Sequence, residues 1–563
     1  MRTLLFSLLV CVWLLFPVAV HAVVNPLAVP NNKVGIHIIS ATPDESSPAA
    51  SLVNSNGDWG YVTLVIKSQD RDKNKWQNFF NDLRRKHLIP IVRLATGVEG
   101  SYWKRPYEGE EAIWADFLNS LNWPTKNRYV IIYNEPNHGK EWGGFIDARS
   151  YARVLDKTIK ALKEKNPDFF VLNAGLDASA PEQLPNYGDE ITFLREMEAE
   201  VPGIFEKLDG WVSHSYPNPG FVGDPEDIGR GSIRGWFWEL QQLRLLGLTD
   251  DLPVFITETG WKHSEGLSLD PSLPSAEIVA SNYKKAFIEA WGSSRIVAVT
   301  PFLLTYLEPP FDHFSFKKLL SNDYYPQFQV IKDMPKVSGK PVQIHRAELI
   351  KGEVYKSVVA GENYDISLTF KNTGGSIWGD QDTIKLVAIE GGNELGINFI
   401  DLPKDVQVPP NQKFTFKSNI KAPAKGLFKT VLQLFSGDTQ FESPALGFVT
   451  EVKSPVILQV KTALKWKKLV EGEYILLVEG AVGESSQKVY LNKSGQTEEI
   501  EARYLLPDYA FDFTLKRPYY QPKAIHQTLY SGVNVLNFGE LEPDFASVLF
   551  NPKKLWELLP FSN

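Results

Sequence analysis

Between Val34 and Leu304 the chain carries eight apolar, β-prone runs, and no other feature narrows its possible folds as much. They are "VGIHII" from Val34, "YVTLVI" from Tyr61, "IPIVRLA" from Ile89, "YVIIYN" from Tyr129, "FFVLNAG" from Phe169, "GWVSHSY" from Gly210, "PVFITE" from Pro253 and "RIVAVTPFLL" from Arg295. The runs are continuous instead of alternating, as strands are when both faces are buried. Between them lie stretches with the apolar period of a helix. Trp76, Phe79, Phe80 and Leu83 are one such set, and Tyr151, Val154, Leu155, Ile159 and Leu162 another. Stripes of this kind face a core; they are not cofactor-binding boxes. Eight strand-and-helix units predict a (β/α)8 TIM barrel over residues 30–335, in the α/β class.

The pattern changes after "MPKVSGKPV". Tyr364, Ile366, Leu368 and Phe370 alternate with Asp365, Ser367 and Thr369, the period of a half-buried strand, and Gly374 and Gly375 supply a turn. With "FTFKSNI" and "KTVLQLF" this predicts a β-sandwich over residues 340–453. Its Asn372, Thr373, Gly374 and Trp378 resemble a segment of the immunoglobulin-like modules that accompany many bacterial secreted hydrolases. Residues 454–563 contain further strand-like runs ("VILQVKTAL", "EYILLVEGAV", "QKVYLN") and "KRPYYQP", and are read as a second β-rich domain.

With 67 Asp and Glu against 59 Lys and Arg, the net charge of −8 gives no extended basic surface, so a nucleic-acid partner is not expected. The start, "MRTLLFSLLVCVWLLFPVAVHA", has one arginine, an apolar stretch and a small residue at Ala22. It reads as a signal peptide over residues 1–22, hence a secreted or cell-surface protein; an uncleaved anchor is the alternative. Cys11 is the only cysteine and lies inside that segment, leaving the remainder without disulfides or thiolate ligands.

The run "YVIIYNEPNH" buries Val130, Ile131 and Ile132 and then presents Asn134 and Glu135 at a strand's carboxyl end, where barrel enzymes carry their chemistry. "PVFITETGW" does the same with Glu258 on the seventh run. Two carboxyl groups across one mouth are what retaining glycoside hydrolysis needs. The pair resembles clan A of the glycoside hydrolases, nearest to family thirty-nine and the cellulase-like family five, over the barrel alone. That resemblance implies Glu135 as acid/base, Glu258 as nucleophile, Asn134 on the sugar 2-hydroxyl and Tyr216 orienting Glu258. His214 and Tyr216, two apart, are expected to face the mouth from one side of their strand. His37 ends the first run. Arg93 is a further candidate, although the clan's usual arginine lies on strand two and here that run ends in Ile66 and Lys67. Asp177 and Glu308 follow the fifth and eighth runs without a flanking motif. Trp261, Trp103, Trp142, Trp236 and Trp238 are candidate sugar-stacking platforms.

The resulting expectation is a secreted, monomeric retaining glycosidase that cleaves β-glycosidic bonds in polysaccharide or oligosaccharide, with no cofactor and no metal. Its C-terminal β-domains are expected to contact polysaccharide or a cell surface. The alternative is a non-catalytic carbohydrate-binding surface protein built on the same barrel.

Overall fold

The computed structural model describes residues 23–55, 59–467, 469–481 and 483–548. The chain divides into two compact units, Met1–Ile344 with Gly374–Ser376, and His345–Thr373 with Ile377–Asn563. The expected signal peptide or anchor over residues 1–22 lies outside the described residues. Among the described residues, no helix is long and apolar enough to cross a membrane.

The first unit is mixed α/β, with eight parallel strands. Five lie side by side in chain order: Gly35–His37, Gly60–Lys67, Leu88–Ala95, Arg128–Ile131 and Phe169–Leu172. The sixth, seventh and eighth, Trp211–Ser213, Val254–Ile256 and Ile296–Val299, form a second parallel sheet. Single parallel bridges, Leu172 with Gly210 and Val34 with Val299, join the two sheets at both ends.

A helix follows every strand: Pro43–Val53, Lys73–Arg85, Glu110–Asn119, Ala148–Lys165, Glu190–Glu200, Gly235–Leu245, Ala276–Lys285 and Pro326–Asp333. Local sequence explains their ends. Asp72 caps the second helix by accepting from the N–H groups of Asn74 and Lys75, and Arg84 and Arg85 complete its last turn. Asp147 caps the fourth by accepting from Ser150.

Alternate residues of the strands enter two different apolar clusters. Val62, Val130, Ile132, Val171, Val254 and Ile256 pack with helix residues such as Trp76, Phe80, Leu155 and Leu162. Tyr61, Tyr129, Ile131, Phe170, Val212 and Phe255 form a separate cluster among the strands. Both faces are therefore apolar, which explains the continuous runs. The later strands stop earlier than their runs suggest. The fourth ends at Ile131, and Tyr133 and Glu135 adopt left-handed φ values of 71° and 30° that turn the chain away from the ladder.

The second unit is almost entirely β. Ala347–Glu353, Asn363–Asn372 and Lys413–Lys421 pair antiparallel. A second sheet contains Ser357–Val359, Leu446–Lys453, Gly426–Ser436, Ile384–Glu390 and Phe399–Asp401. Ile366, Leu368 and Phe370 share one core with Leu386, Leu432, Leu434 and the fully buried Trp378. A further cluster, from Val456 to Leu541, belongs to a three-stranded and a four-stranded sheet within residues 456–541.

Candidate active site

Glu135 and Glu258 line one cavity of about 660 Å³, together with Asn134, Arg93, Tyr216 and Trp103. The turn after the fourth strand carries Glu135. Its N–H donates to Gly175 O (3.1 Å), and its carbonyl accepts from His138 N–H (2.8 Å). Glu258 stands two residues beyond the seventh strand. Gly260 follows at φ 139°, where an added Cβ would lie 2.3 Å from the Tyr283 hydroxyl, so the "TETG" glycine fits a space closed to other residues.

One carboxylate oxygen of Glu135, one of Glu258 and a ring nitrogen of His214 all lie within 4.8 Å of one another. His214 Nδ1 is 2.9 Å from Glu135 Oε1 and 3.8 Å from Glu258 Oε2. Burial works against a charged imidazole here, but Glu258 and Glu135 outweigh it and raise the His214 pKa. The Arg93 guanidinium binds Glu258 Oε1 and also donates to Asn134 Oδ1 (2.7 Å). The Tyr216 hydroxyl donates to Glu258 Oε2 (3.3 Å). Burial opposes ionisation of Glu258, yet His214 and Arg93 prevail and lower its pKa to about 2, so it is a carboxylate at neutral pH.

His37 Nε2 is 3.9 Å from Glu258 Oε1. Burial, then Arg93, lowers its pKa to about 3, leaving a neutral ring. His214 and Tyr216 reach the site from a turn, with Tyr216 N–H donating to His214 O (3.0 Å), because the sixth strand ends at Ser213. His214 itself still makes a single parallel bridge with Asp177. Arg93 pairs in register with Ile131, which brings it to the level where the fourth strand ends.

The tryptophans divide. Trp103 lines the cavity. Trp261 does not: it is 1% exposed, packs on Tyr283 and Trp291, and donates Nε1–H to Gly223 O (2.7 Å). The expectation that Trp261 contacts substrate is therefore corrected, because both its faces are covered. Trp142 and Trp236 are also buried, and Trp238 lies under the Arg230 guanidinium. Phe221, Phe302, Phe311 and Phe314 supply the cavity's apolar wall instead. Glu308 is exposed and does not line the cavity.

Two polar residues of the cavity wall, Glu141 and His138, and the buried Asn137 behind them had no role assigned from sequence. Glu141 has its pKa raised to about 7 by burial and then by the charge of Glu135. His138 Nε2 is 2.9 Å from Asp177 Oδ2, and its Nδ1 is 3.8 Å from Glu135 Oε2. Asn137, fully buried beside them, donates Nδ2–H to Asp177 O (3.0 Å) and accepts from Asp177 N–H (3.2 Å). The signal for His138 was its place in "NEPNH"; nothing in the sequence joins it to Asp177.

No family model matches the sequence, and no curated protein does. The structural neighbours are glycoside hydrolases at low identity. An endo-β-1,3-glucanase of GH128 subgroup II from Pseudomonas viridiflava is 14% identical, over 54% of this chain and 98% of its own, with a TM-score of 0.36. A family 39 glycoside hydrolase from Bacteroides cellulosilyticus WH2 is 13% identical, over 70% and 82%, with a TM-score of 0.38. A GH5_18 protein from Bifidobacterium longum subsp. infantis is 11% identical, over 59% and 83%, with a TM-score of 0.39. Likeness this distant assigns neither family nor activity to this chain.

Proposed function

We propose that this chain is a retaining β-glycosidase whose eight strands close into a (β/α)8 barrel, with Glu258 as nucleophile and Glu135 as acid/base. The observation that carries the reading is the approach of two carboxylate oxygens to within 4.8 Å across one cavity. Retaining chemistry wants its carboxyl groups about 5 to 5.5 Å apart, whereas inversion needs roughly 6.5 to 9.5 Å to admit a water. Bridges at both sheet junctions and the cluster among the strands support closure. The two-sheet core of residues 340–453 supports an immunoglobulin-like module.

In the first step Glu258 attacks the anomeric carbon while Glu135 gives its proton to the departing glycosidic oxygen. The Tyr216 hydroxyl and Arg93 hold the attacking carboxylate in one orientation. Arg93 also fixes the amide of Asn134: with Oδ1 taken, Nδ2–H is the group left for a sugar hydroxyl or for Glu141. In the second step Glu135 takes a proton from water, the hydroxide equivalent attacks the same carbon, and Glu258 departs as carboxylate. Trp103 and the phenyl groups of the wall offer apolar surface to a sugar ring. Proton NMR of the first sugar released from an aryl β-glycoside tests the reading. Retained configuration is expected, and initial inversion would remove Glu258 from the nucleophile's role.

A further inference from the structure

The last two residues of "NEPNH", Asn137 and His138, both engage Asp177, the first through its backbone and the second through its carboxylate. Asn137 grips the backbone of Asp177 on both sides, and Ser179 N–H donates to Asp177 Oδ1 (2.8 Å). Asp177 Oδ2 is thereby left to His138 Nε2 at 2.9 Å. Since a carboxylate only accepts, Nε2 carries the proton and Nδ1 faces Glu135 Oε2 at 3.8 Å. The ring is steadied edge-on against Tyr187, with centroids 5.0 Å apart at 89°.

We propose that His138, anchored by Asp177, is a positioning residue for Glu135, presenting a cation to the carboxylate oxygen that His214 does not bind. The inference rests on the reading of Glu135 as acid/base. Burial disfavours the imidazolium, but Asp177, Glu135 and Glu141 together raise the His138 pKa. The ionisable groups facing Glu135 are His214 and His138, whose protonation favours its carboxylate, and Glu258 and Glu141, whose ionisation opposes it.

Negative charge develops on Glu135 as it releases its proton to the leaving group. A protonated His138 beside Oε2 favours that state, and at 3.8 Å the contact acts through charge without a formed hydrogen bond. The same cation opposes reprotonation of Glu135 in the second step.

The test uses the full chain, with His138→Gln and Asp177→Asn each removing the cation. The alkaline limb of kcat/KM on an aryl β-glycoside should move up by about one pH unit in both variants, with circular dichroism unchanged. An unmoved limb overturns the proposal. A readout without turnover separates this inference from the function it rests on. In Glu135→Gln the imidazole of His138, followed by NMR of 15N-histidine-labelled protein, should titrate at lower pH than in the wild type. An unchanged His138 midpoint overturns the proposal whether or not any glycoside is cleaved. A lowered midpoint in a protein that cleaves none upholds the coupling and rejects the glycosidase reading.

Discussion

His214 Nδ1 lies 2.9 Å from Glu135 Oε1, and the ring that makes this contact rests directly on Gly175. A Cβ at position 175 would meet His214 Cδ2 at 2.2 Å. Gly175→Ala should push the imidazole off both glutamates while leaving the strands intact. We expect kcat/KM to fall about 10²-fold, the scale of a misplacement near 1 Å, with an unchanged far-ultraviolet spectrum. Wild-type turnover would show that the position of His214 is not what holds Glu135.

Removing the nucleophile's carboxylate should abolish turnover without abolishing the reaction path. In Glu258→Ala, azide can enter the vacated space and attack the anomeric carbon while Glu135 still protonates the departing oxygen. Partial rescue by azide, with a glycosyl azide of inverted configuration as product, is expected. An inverted glycosyl azide from Glu135→Ala, with a retained one from Glu258→Ala, would exchange the two roles.

Stability should fall at alkaline pH because of a carboxyl pair outside the cavity. Glu190 and Glu239 are fully buried, and burial raises both pKa values, that of Glu239 to about 7 and that of Glu190 further through the charge of Glu239. Each binds its proton more tightly in the fold than in the unfolded chain. That contribution is fully present below the ordinary glutamate value and is lost as pH rises through 7 and beyond. Glu190→Gln removes one ionisation, so its Tm should exceed that of the wild type at pH 8 and differ least at pH 4. Equal differences at both pH values would show that the pair is not linked to folding.

Chelation should have no effect. Glu135, His214 and Glu258 bring together donor atoms that a divalent cation can use. Two of the three are otherwise engaged: the Arg93 guanidinium occupies Glu258 Oε1, and His214 Nδ1 lies 2.9 Å from Glu135 Oε1. Dialysis against EDTA should leave kcat unchanged. Activity lost to EDTA and restored by zinc would turn the three residues into ligands.

How much of this was legible in sequence depended on how far apart the interacting residues lie. The apolar runs and helical stripes are local, so Val62 and Trp76 could be given places from their neighbours alone. The glutamates were legible because each ends a buried run with polar residues that no core would accept. Trp261 misled because stacking on a sugar and packing edge-to-face against Tyr283 in a core demand the same side chain. Arg93 stands on the third strand, as its run placed it; its contact with Glu258, 165 positions away, was not legible. His138 and Asp177 are 39 positions apart, and only the path of the loop after the fifth strand makes them partners.

Asn137 gives that loop its path. The fourth strand ends at Ile131 and the fifth at Leu172, and peptide groups beyond a ladder's end need other partners. The side chain of Asn137 carries one carbonyl and one amide, the same pair a peptide offers, and applies both to Asp177 as a rung would. It splices two loops past the point where their strands have parted. With the backbone bond from Glu135 N–H to Gly175 O, one carboxamide stands in for rungs that the ladder no longer supplies.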